Sequence, residues 1–238
     1  MPWFRADLHL HSCLSPCGDL ECSPSAIAVT AKQRGLDLVA LADHNSALNC
    51  PAFAEACRRE GVAALYGIEA TSREEVHLLC LFATVEQALD AGELFYRALA
   101  DVQNIPAKLG DQVYVDVDEN ILGAVEKHLV GALDYSVDEI CEAVNSRGGL
   151  FIPAHIDRSV NSMGSQLGFL PHAPYAAVEV TRSPCPLDTH DYTRICNSDA
   201  HFLDDIAMRW FAYEAETVSF AALRDALAAK RVRLSIES

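Results

Sequence analysis

Apolar segments of strand length alternate with helical patterns along the first third of the chain. The segment at 36–42 is almost entirely apolar, which is typical of a strand covered on both faces. Ser23 and Pro24 together have the signature of a helix N-terminus, and Gly35 stands where that helix should end. The pattern therefore predicts strands at 4–9, 36–42 and 62–68, with helices at 23–34 and 51–60.

The connection after the third predicted strand is too short for a parallel crossover. Only residues 70–75 separate it from the next apolar segment at 76–82, whereas a crossover needs about a dozen residues or more. We therefore expect a hairpin, in which the second strand starts at the rim where the first one ends. His77 would then face Glu69 although it opens its strand.

The same alternation continues to the C-terminus. Thr84 and Ser136 each begin a capping box, which predicts a helix after each of them. Residues 113–122 predict a small hairpin outside the barrel, followed by a polar helix that carries His128. Further strands are predicted at 150–153, 177–180, 193–196 and 232–236, with an outer strand at 210–215 and a helix at 219–229. Strands that alternate with helices are typical of an α/β barrel, whose active site lies at the carboxyl ends of the strands.

The length and hydropathy of the chain favour one domain. With 238 residues, half of them apolar, the chain can bury one sizeable core. We expect a single barrel domain over residues 1–238 with an insertion at about 101–135. No apolar run reaches the roughly 18–20 residues of a membrane span, and no apolar signal-peptide region follows Met1. These observations predict a cytoplasmic protein that does not enter membranes.

The formal net charge of −16 bears on the class of substrate. Binding to long nucleic acids gains most from Lys and Arg, so this charge argues against a phosphate track along the surface. It does not argue against one small phosphoester held in a pocket that metal ions make locally positive. The composition thus contains no strong signal for nucleic-acid binding.

Nine cysteines, an odd number in a chain of this size, argue against a disulfide scaffold. Cys13, Cys17 and Cys22 lie close together, but they lack the usual spacing of a structural zinc site. A thiolate metal site formed by these three residues is the less favoured interpretation.

His9 and His11 stand at the end of the first predicted strand. Alternate residues of a strand point to the same side, so the two imidazoles would form a metal clamp. Asp7 on the same face would orient one of them.

Metal-binding side chains recur at the edges of other apolar segments, and together with His9 and His11 these motifs contain six of the nine histidines. Because the active site of an α/β barrel lies at one rim, we expect them to converge there. The further motifs are Ala42-Asp43-His44-Asn45, Gly67-Ile68-Glu69-Ala70, Val76-His77-Leu78, Pro153-Ala154-His155-Ile156-Asp157-Arg158 and Asn197-Ser198-Asp199-Ala200-His201.

This ordered series resembles the motifs of the PHP (polymerase and histidinol phosphatase) family from Asp7 to His201. The resemblance implies a distorted (β/α)7 TIM-like barrel, here with a small helical and hairpin insertion, a three-metal centre and phosphoesterase activity. Carried over position by position, it implies the metal ligands His9, His11, His44, Glu69, His77, His155, Asp199 and His201.

At the position of one further ligand, this chain departs from the pattern of the family. The family usually has another His or Asp shortly after its first two histidines, but here the interval is longer and contains a proline. Asp19 is the nearest candidate carboxylate, and Glu21 and Cys17 are the alternatives.

The residue types indicate the chemistry. Imidazole and carboxylate ligands suit two or three divalent ions of zinc, manganese or iron. A hydroxide shared between such metals is the expected nucleophile, because coordination lowers the pKa of water to about 7. Phosphate or sulfate should bind at the same metals. No serine or cysteine nucleophile is required.

Several other side chains are candidates for roles in catalysis. Arg158 could neutralise the phosphate through a bidentate contact, with Arg182 as a second candidate. Asp43 and Asp7 would orient ligating histidines. Two histidines in the predicted rim loops could protonate the leaving oxygen, although both are more often plain loop residues; they are His172 and His190.

Three functions remain open from the sequence. The leading hypothesis is a metal-dependent phosphatase that hydrolyses a small phosphomonoester. A phosphodiesterase or exonuclease for short nucleic acids is the second, although no basic channel lined with aromatic residues is evident. A non-catalytic metal-binding module of the same family is the third, and the nearly complete ligand set argues against it.

Overall fold

The computed structural model describes residues 1–237. Its strands are β1 (Trp3–Leu10), β2 (Leu38–Leu41), β3 (Ala63–Thr71), β4 (His77–Phe82), β5 (Val113–Val115), β6 (Ile121–Ala124), β7 (Leu150–Pro153), β8 (Val178–Glu179), β9 (Arg194–Ile195), β10 (Phe211–Glu214) and β11 (Val232–Leu234). Its helices are α1 (Pro24–Gln33), α2 (Cys50–Glu60), α3 (Val85–Ala98), α4 (Pro106–Leu109), α5 (Val137–Ser146), α6 (Met163–Gln166) and α7 (Phe220–Ala228), with a 3-10 turn at Leu203–Asp205.

A seven-stranded sheet in the order β11-β10-β1-β2-β3-β4-β7 forms most of the barrel wall. The wall continues through the parallel pair β8–β9, because the backbone N–H of Ile156 donates to the Glu179 carbonyl at 2.9 Å. It returns to β1 where the N–H of His11 donates to the Ala200 carbonyl at 2.9 Å. The predicted α/β fold with a TIM-like barrel is therefore confirmed.

Two departures from a regular barrel involve antiparallel strands. The predicted hairpin is confirmed, since β3 and β4 pair antiparallel with Thr71 opposite His77. The strand predicted to be an outer one is β10, which instead lies within the main sheet, paired antiparallel with β1 and β11. Its inward residues Phe211 and Tyr213 are completely buried and so add to the core.

The helices begin where the sequence indicates. The hydroxyl of Ser23 accepts from the N–H of Ala26 at the start of α1. Thr84 and Ser136 each form the predicted capping box, at the starts of α3 and α5. A capping box supplies acceptors for two backbone N–H groups that have no partner within the helix. None of the helices within residues 1–237 is long and apolar enough to cross a bilayer.

A β-bulge near the end of β1 changes which way its residues face. Between the pairs Asp7–Val39 and Leu10–Leu41, β1 advances three residues while β2 advances two. Leu8 consequently packs in the interior cluster, whereas Leu10 packs in the outer cluster under α1 and α2. One extra residue in a strand bends it and redirects its side chains, and this bulge lies directly before the histidine pair.

The segment after α3 packs against the loops at the barrel mouth. It contains α4 and the hairpin β5–β6. The polar helix predicted around His128 does not form there. The amide of Gln112 instead donates to the carbonyls of Val125 and Lys127, at 3.1 and 2.8 Å, which holds this stretch extended.

Gly67 in β3 offers a test of the packing at the centre of the sheet. A Cβ atom at this position would lie 2.8 Å from the Cys80 carbonyl oxygen, which is backbone and cannot rotate away. Gly67→Ala should therefore lower the free energy of unfolding by about 1–3 kcal/mol, measured by chemical denaturation. Gly131→Ala is the control, because the nearest atom there is 3.5 Å away. Equal stability of the two variants would contradict the packing described.

Candidate metal centre

The predicted metal ligands lie together at one rim of the barrel. They lie near the end of β1 or β3, follow β1, β2, β7 or β9, or open the antiparallel strand β4. All are buried apart from His201 and Asp199, whose side chains are 23% and 9% exposed. These residues are His9, His11, His44, Glu69, His77, His155, Asp199 and His201.

The carboxylate of Glu69 is the centre of this cluster. Five imidazoles approach it, and each places one ring nitrogen within 3.3 Å of a carboxylate oxygen. The distances are 2.9 Å from His77 Nδ1, 3.0 Å from His155 Nε2 and 3.2 Å from His9 Nε2 to Oε1, and 3.1 Å from His44 Nδ1 and 3.3 Å from His11 Nε2 to Oε2. Asp199 Oδ1 lies 3.2 Å from His11 Nε2. One carboxylate is thereby shared by histidines from four strands.

The donor set fits divalent cations. Among the described residues, several buried nitrogen and oxygen atoms at this rim make no hydrogen bond, although they lie close to one another: His9 Nε2, His11 Nε2, His44 Nδ1, His77 Nδ1 and Asp199 Oδ1. Buried polar atoms are normally paired. Imidazole nitrogens and carboxylate oxygens that converge in this way are typical ligands of zinc, manganese and iron(II).

The ligand atoms fall into three overlapping groups. Within each group they all lie within 4.8 Å of one another, which is close enough for one ion to contact them. The groups are His11, His44 and His201; His9, His11, Glu69 and Asp199; and His44, Glu69 and His77. Glu69, His11 and His44 belong to two groups each, so all three could serve neighbouring ions.

Two of the predicted ligands adopt an unusual backbone conformation. Asp199 has φ of 55° and His155 has φ of 28°. Non-glycine residues rarely adopt positive φ, and such strain persists only where surrounding contacts hold it. Here the Arg158 guanidinium binds Asp199 Oδ2 at 2.5 Å, and the N–H of His155 donates to Glu179 Oε2 at 3.1 Å.

Burial and neighbouring charges set the protonation of the histidines. Burial lowers the pKa of His44 well below its usual value, and burial next to His11 lowers the pKa of His201 to about 4. Both imidazoles are therefore neutral near pH 7 and have a lone pair for a metal. Burial also opposes protonation of His9, but the carboxylates of Glu179, Glu69 and Asp199 outweigh it and raise the pKa of His9.

Asp7 lies close to the histidines but binds other groups. Its carboxylate accepts from the N–H and hydroxyl of Ser198, at 3.0 and 2.5 Å, and from the N–H of Ala207 at 3.1 Å. Asp7 was predicted to orient a ligating histidine, but its carboxylate binds Ser198 and Ala207 instead. Its contacts instead fix the backbone next to Asp199.

Asp43 acts on a histidine through an intervening hydroxyl. Its Oδ1 accepts from the hydroxyl of Ser15 at 2.7 Å, and that hydroxyl lies 2.9 Å from His11 Nδ1. The N–H and hydroxyl of Ser12 also donate to Asp43, each at 2.7 Å. These contacts fix both the ring of His11 and the loop that follows it.

Glu179 is a residue of the site that the sequence analysis did not single out. It is 1% exposed, and its Oε2 lies 3.0 Å from His9 Nδ1. A carboxylate at this nitrogen fixes the tautomer of the ring and makes the other nitrogen a better ligand. The one signal in the sequence was an acidic residue within the apolar segment 177–180, at the end of a predicted strand.

The three candidates for the further ligand do not join the groups described above. Asp19 Oδ1 accepts from the N–H of Glu21 at 2.8 Å, and the Glu21 side chain is exposed. Cys17 is exposed, and the partial desolvation of its thiol, with a contribution from the carboxylates of Glu69 and Asp199, raises the pKa of that thiol to about 12.

The two arginines and two histidines that were candidates for catalytic roles contact different groups. Arg158 binds Asp199, whereas Arg182 donates to the Asp157 carbonyl at 3.2 Å. The rings of His172 and His190 stack on each other at 4.1 Å, and His190 Nε2 lies 2.9 Å from the Leu170 carbonyl. Neither histidine lines the cavity beside Asp199.

The family model described as the PHP domain matches residues 7–144. The chain belongs to the PHP domain family. The resemblance seen in the sequence is thereby confirmed. No match is found among curated proteins.

Several solved structures share the fold. The lesion-specific endonuclease PfuEndoQ from Pyrococcus furiosus superposes with a TM-score of 0.70 at 20% identity, over 96% of this chain and 56% of that one. A two-domain protein from Bacteroides vulgatus, containing a predicted PHP-like metal-dependent phosphoesterase, gives 0.57 at 15% identity, over 98% and 64%. PsfC from Pseudomonas syringae gives 0.53 at 14% identity, over 100% and 93%. This PHP chain therefore spans less than two thirds of the length of each of the first two proteins.

The contact between Glu179 and His9 predicts a role in metal binding. Glu179→Gln keeps the size of the side chain but removes the charge that orients and polarises the ring. We expect metal affinity to fall roughly 10- to 100-fold, measured by titration with Zn²⁺ or Mn²⁺. Glu216→Gln changes an exposed glutamate and should leave the affinity unchanged. Wild-type affinity in folded Glu179→Gln protein would remove Glu179 from the site.

Proposed function

We propose that this PHP protein hydrolyses a small phosphomonoester at the rim centre. The proposal is based on a cavity that lies beside the predicted metal ligands. Two of the proposed ligands, Asp199 and His201, line this cavity of about 480 Å³ together with Arg158. Cavities of this size hold small molecules, and a phosphoryl group placed there would lie against these two ligands.

The proposed metal ligands are the eight residues that meet at the rim, with Glu69 and Asp199 supplying the carboxylates. Bound divalent ions would supply polarisation of the phosphoryl oxygens and an activated water. The chain's own residues hold this arrangement in place. Glu179 holds the ring of His9, and Asp43 holds the ring of His11 through Ser15.

Arg158 is proposed to bind the phosphoryl group. One nitrogen of its guanidinium contacts Asp199, and the side chain is 43% exposed towards the cavity it lines. A guanidinium carries five N–H donors, so most of them remain free for phosphoryl oxygens. The added positive charge would stabilise the charge that develops on those oxygens.

The charge of the protein supports a small substrate. With a formal net charge of −16, the surface opposes long polyanions. Phosphodiester cleavage is the second candidate, because a further solved structure that superposes on this chain with a TM-score of 0.66 is Endonuclease Q in complex with a 27-mer duplex substrate that carries an abasic lesion. At 19% sequence identity, this similarity shows a shared fold and not a shared substrate.

Two model esters separate these candidates. Protein loaded with Mn²⁺ or Zn²⁺ should hydrolyse p-nitrophenyl phosphate faster than bis(p-nitrophenyl) phosphate, because the cavity and Arg158 suit a terminal phosphoryl group. Release of p-nitrophenol is the measurement. Asp199→Asn, matched in size, should abolish turnover while the protein remains folded. Faster hydrolysis of the diester would favour the second candidate, and full activity of Asp199→Asn would contradict the proposed site.

Removing Arg158 should affect both binding and the chemical step. Arg158→Ala is expected to lower kcat/KM for the monoester roughly 10- to 100-fold, since a charge-assisted contact to the phosphoryl group is lost. Steady-state kinetics measures this effect. Arg97→Ala removes an exposed arginine paired with Glu93 on α3 and should have no effect. Unchanged KM and kcat in Arg158→Ala would exclude a role for this residue.

A further inference from the structure

Two large apolar side chains are exposed on the loop that follows the ligands Asp199 and His201. Phe202 is 53% exposed and Met208 is 68% exposed. Met208 lines the 480 Å³ cavity together with Asp199 and Arg158, whereas Phe202 does not line it. An exposed methionine thus forms an apolar wall directly beside a highly charged centre.

The backbone on both sides of Met208 is held firmly. Asp7 accepts from the N–H of Ala207 at 3.1 Å. The guanidinium of Arg209 donates to the carbonyls of Asn197 and Ser198, at 3.0 and 2.9 Å. The loop therefore presents Met208 at a fixed place on the cavity wall, while its unbranched thioether side chain can adapt to what it contacts.

Two further side chains that line the cavity, those of Thr181 and Asp205, present hydrogen-bond acceptors to it. Asp157 accepts from both the N–H and the hydroxyl of Thr181, at 2.8 and 3.0 Å, so the hydroxyl proton of Thr181 is already used. Thr181 can then offer the cavity only the lone pairs of its oxygen. The carboxylate of Asp205, which also lines the cavity, is likewise an acceptor and carries negative charge.

We infer that this part of the cavity is the subsite for the leaving alcohol and that Met208 determines its specificity. The phosphoryl group lies at the end formed by Asp199 and Arg158. The alcohol packs a flat apolar surface, such as an aromatic ring, against Met208, and directs a hydrogen-bond donor at Thr181 or Asp205. The charge of Asp205 disfavours a second phosphate on the alcohol. This inference rests on the proposed phosphomonoesterase function.

Two phosphonates that cannot be hydrolysed test the subsite separately from catalysis. Methylphosphonate and phenylphosphonate carry the same charged group, but only the second has a ring on the leaving-group side. Calorimetric titration of protein loaded with Zn²⁺ should show that the wild type binds phenylphosphonate roughly tenfold more tightly. Met208→Ala should lose most of this preference and keep its affinity for methylphosphonate. Phe202→Ala is the matched control and should keep the preference.

The outcomes distinguish this inference from the function on which it depends. Equal affinities of the wild type for the two phosphonates would overturn the subsite alone, as would an unchanged preference in Met208→Ala. If Met208→Ala weakened both ligands equally, its role would be to support the loop, and the specificity assignment would be wrong. Zinc-loaded wild type that binds neither phosphonate would contradict the phosphomonoesterase proposal itself.

Discussion

The arrangement of the whole site depends on one buried charge, the carboxylate of Glu69. A carboxylate that is 1% exposed loses its hydration, which costs several kcal/mol unless other groups compensate. Five imidazoles surround it, and the same ring nitrogens are the ones best placed for cations. The compensation requires side chains from several strands to meet at one point, so it depends on closure of the barrel at this rim.

A second set of acids keeps those side chains in position. Glu179 fixes His9, Asp43 fixes His11 through Ser15, and Asp7 fixes the backbone that carries Asp199. Burial raises the pKa of Asp7 to about 6 even though Ser198 and Ala207 donate to it. So many acids in one place are consistent with a centre that holds positive ions.

Much of the site could be predicted because local sequence carries its signals. His44, His155 and Asp199 each follow an apolar segment, and the carboxyl ends of strands meet at one rim of an α/β barrel. The hairpin between β3 and β4 followed from the short connection alone, which placed His77 beside Glu69. Other features had weaker signals. Glu179 lies inside an apolar segment and not after it, and the sequence at 210–215 does not indicate which strands it pairs with.

The sequence by itself determined the types of side chain, their places at the ends of strands, the helix caps and membership in the PHP family, because these depend on residues near one another in the chain. Only the tertiary structure decided what Asp7 binds and that Met208 lines the cavity. The contacts of Asp7 with Ser198 and Ala207 join residues 191 and 200 positions apart in the chain, and the second of them also holds the loop around Met208. Register and loop anchoring are settled by packing between distant segments, on which local patterns carry no information.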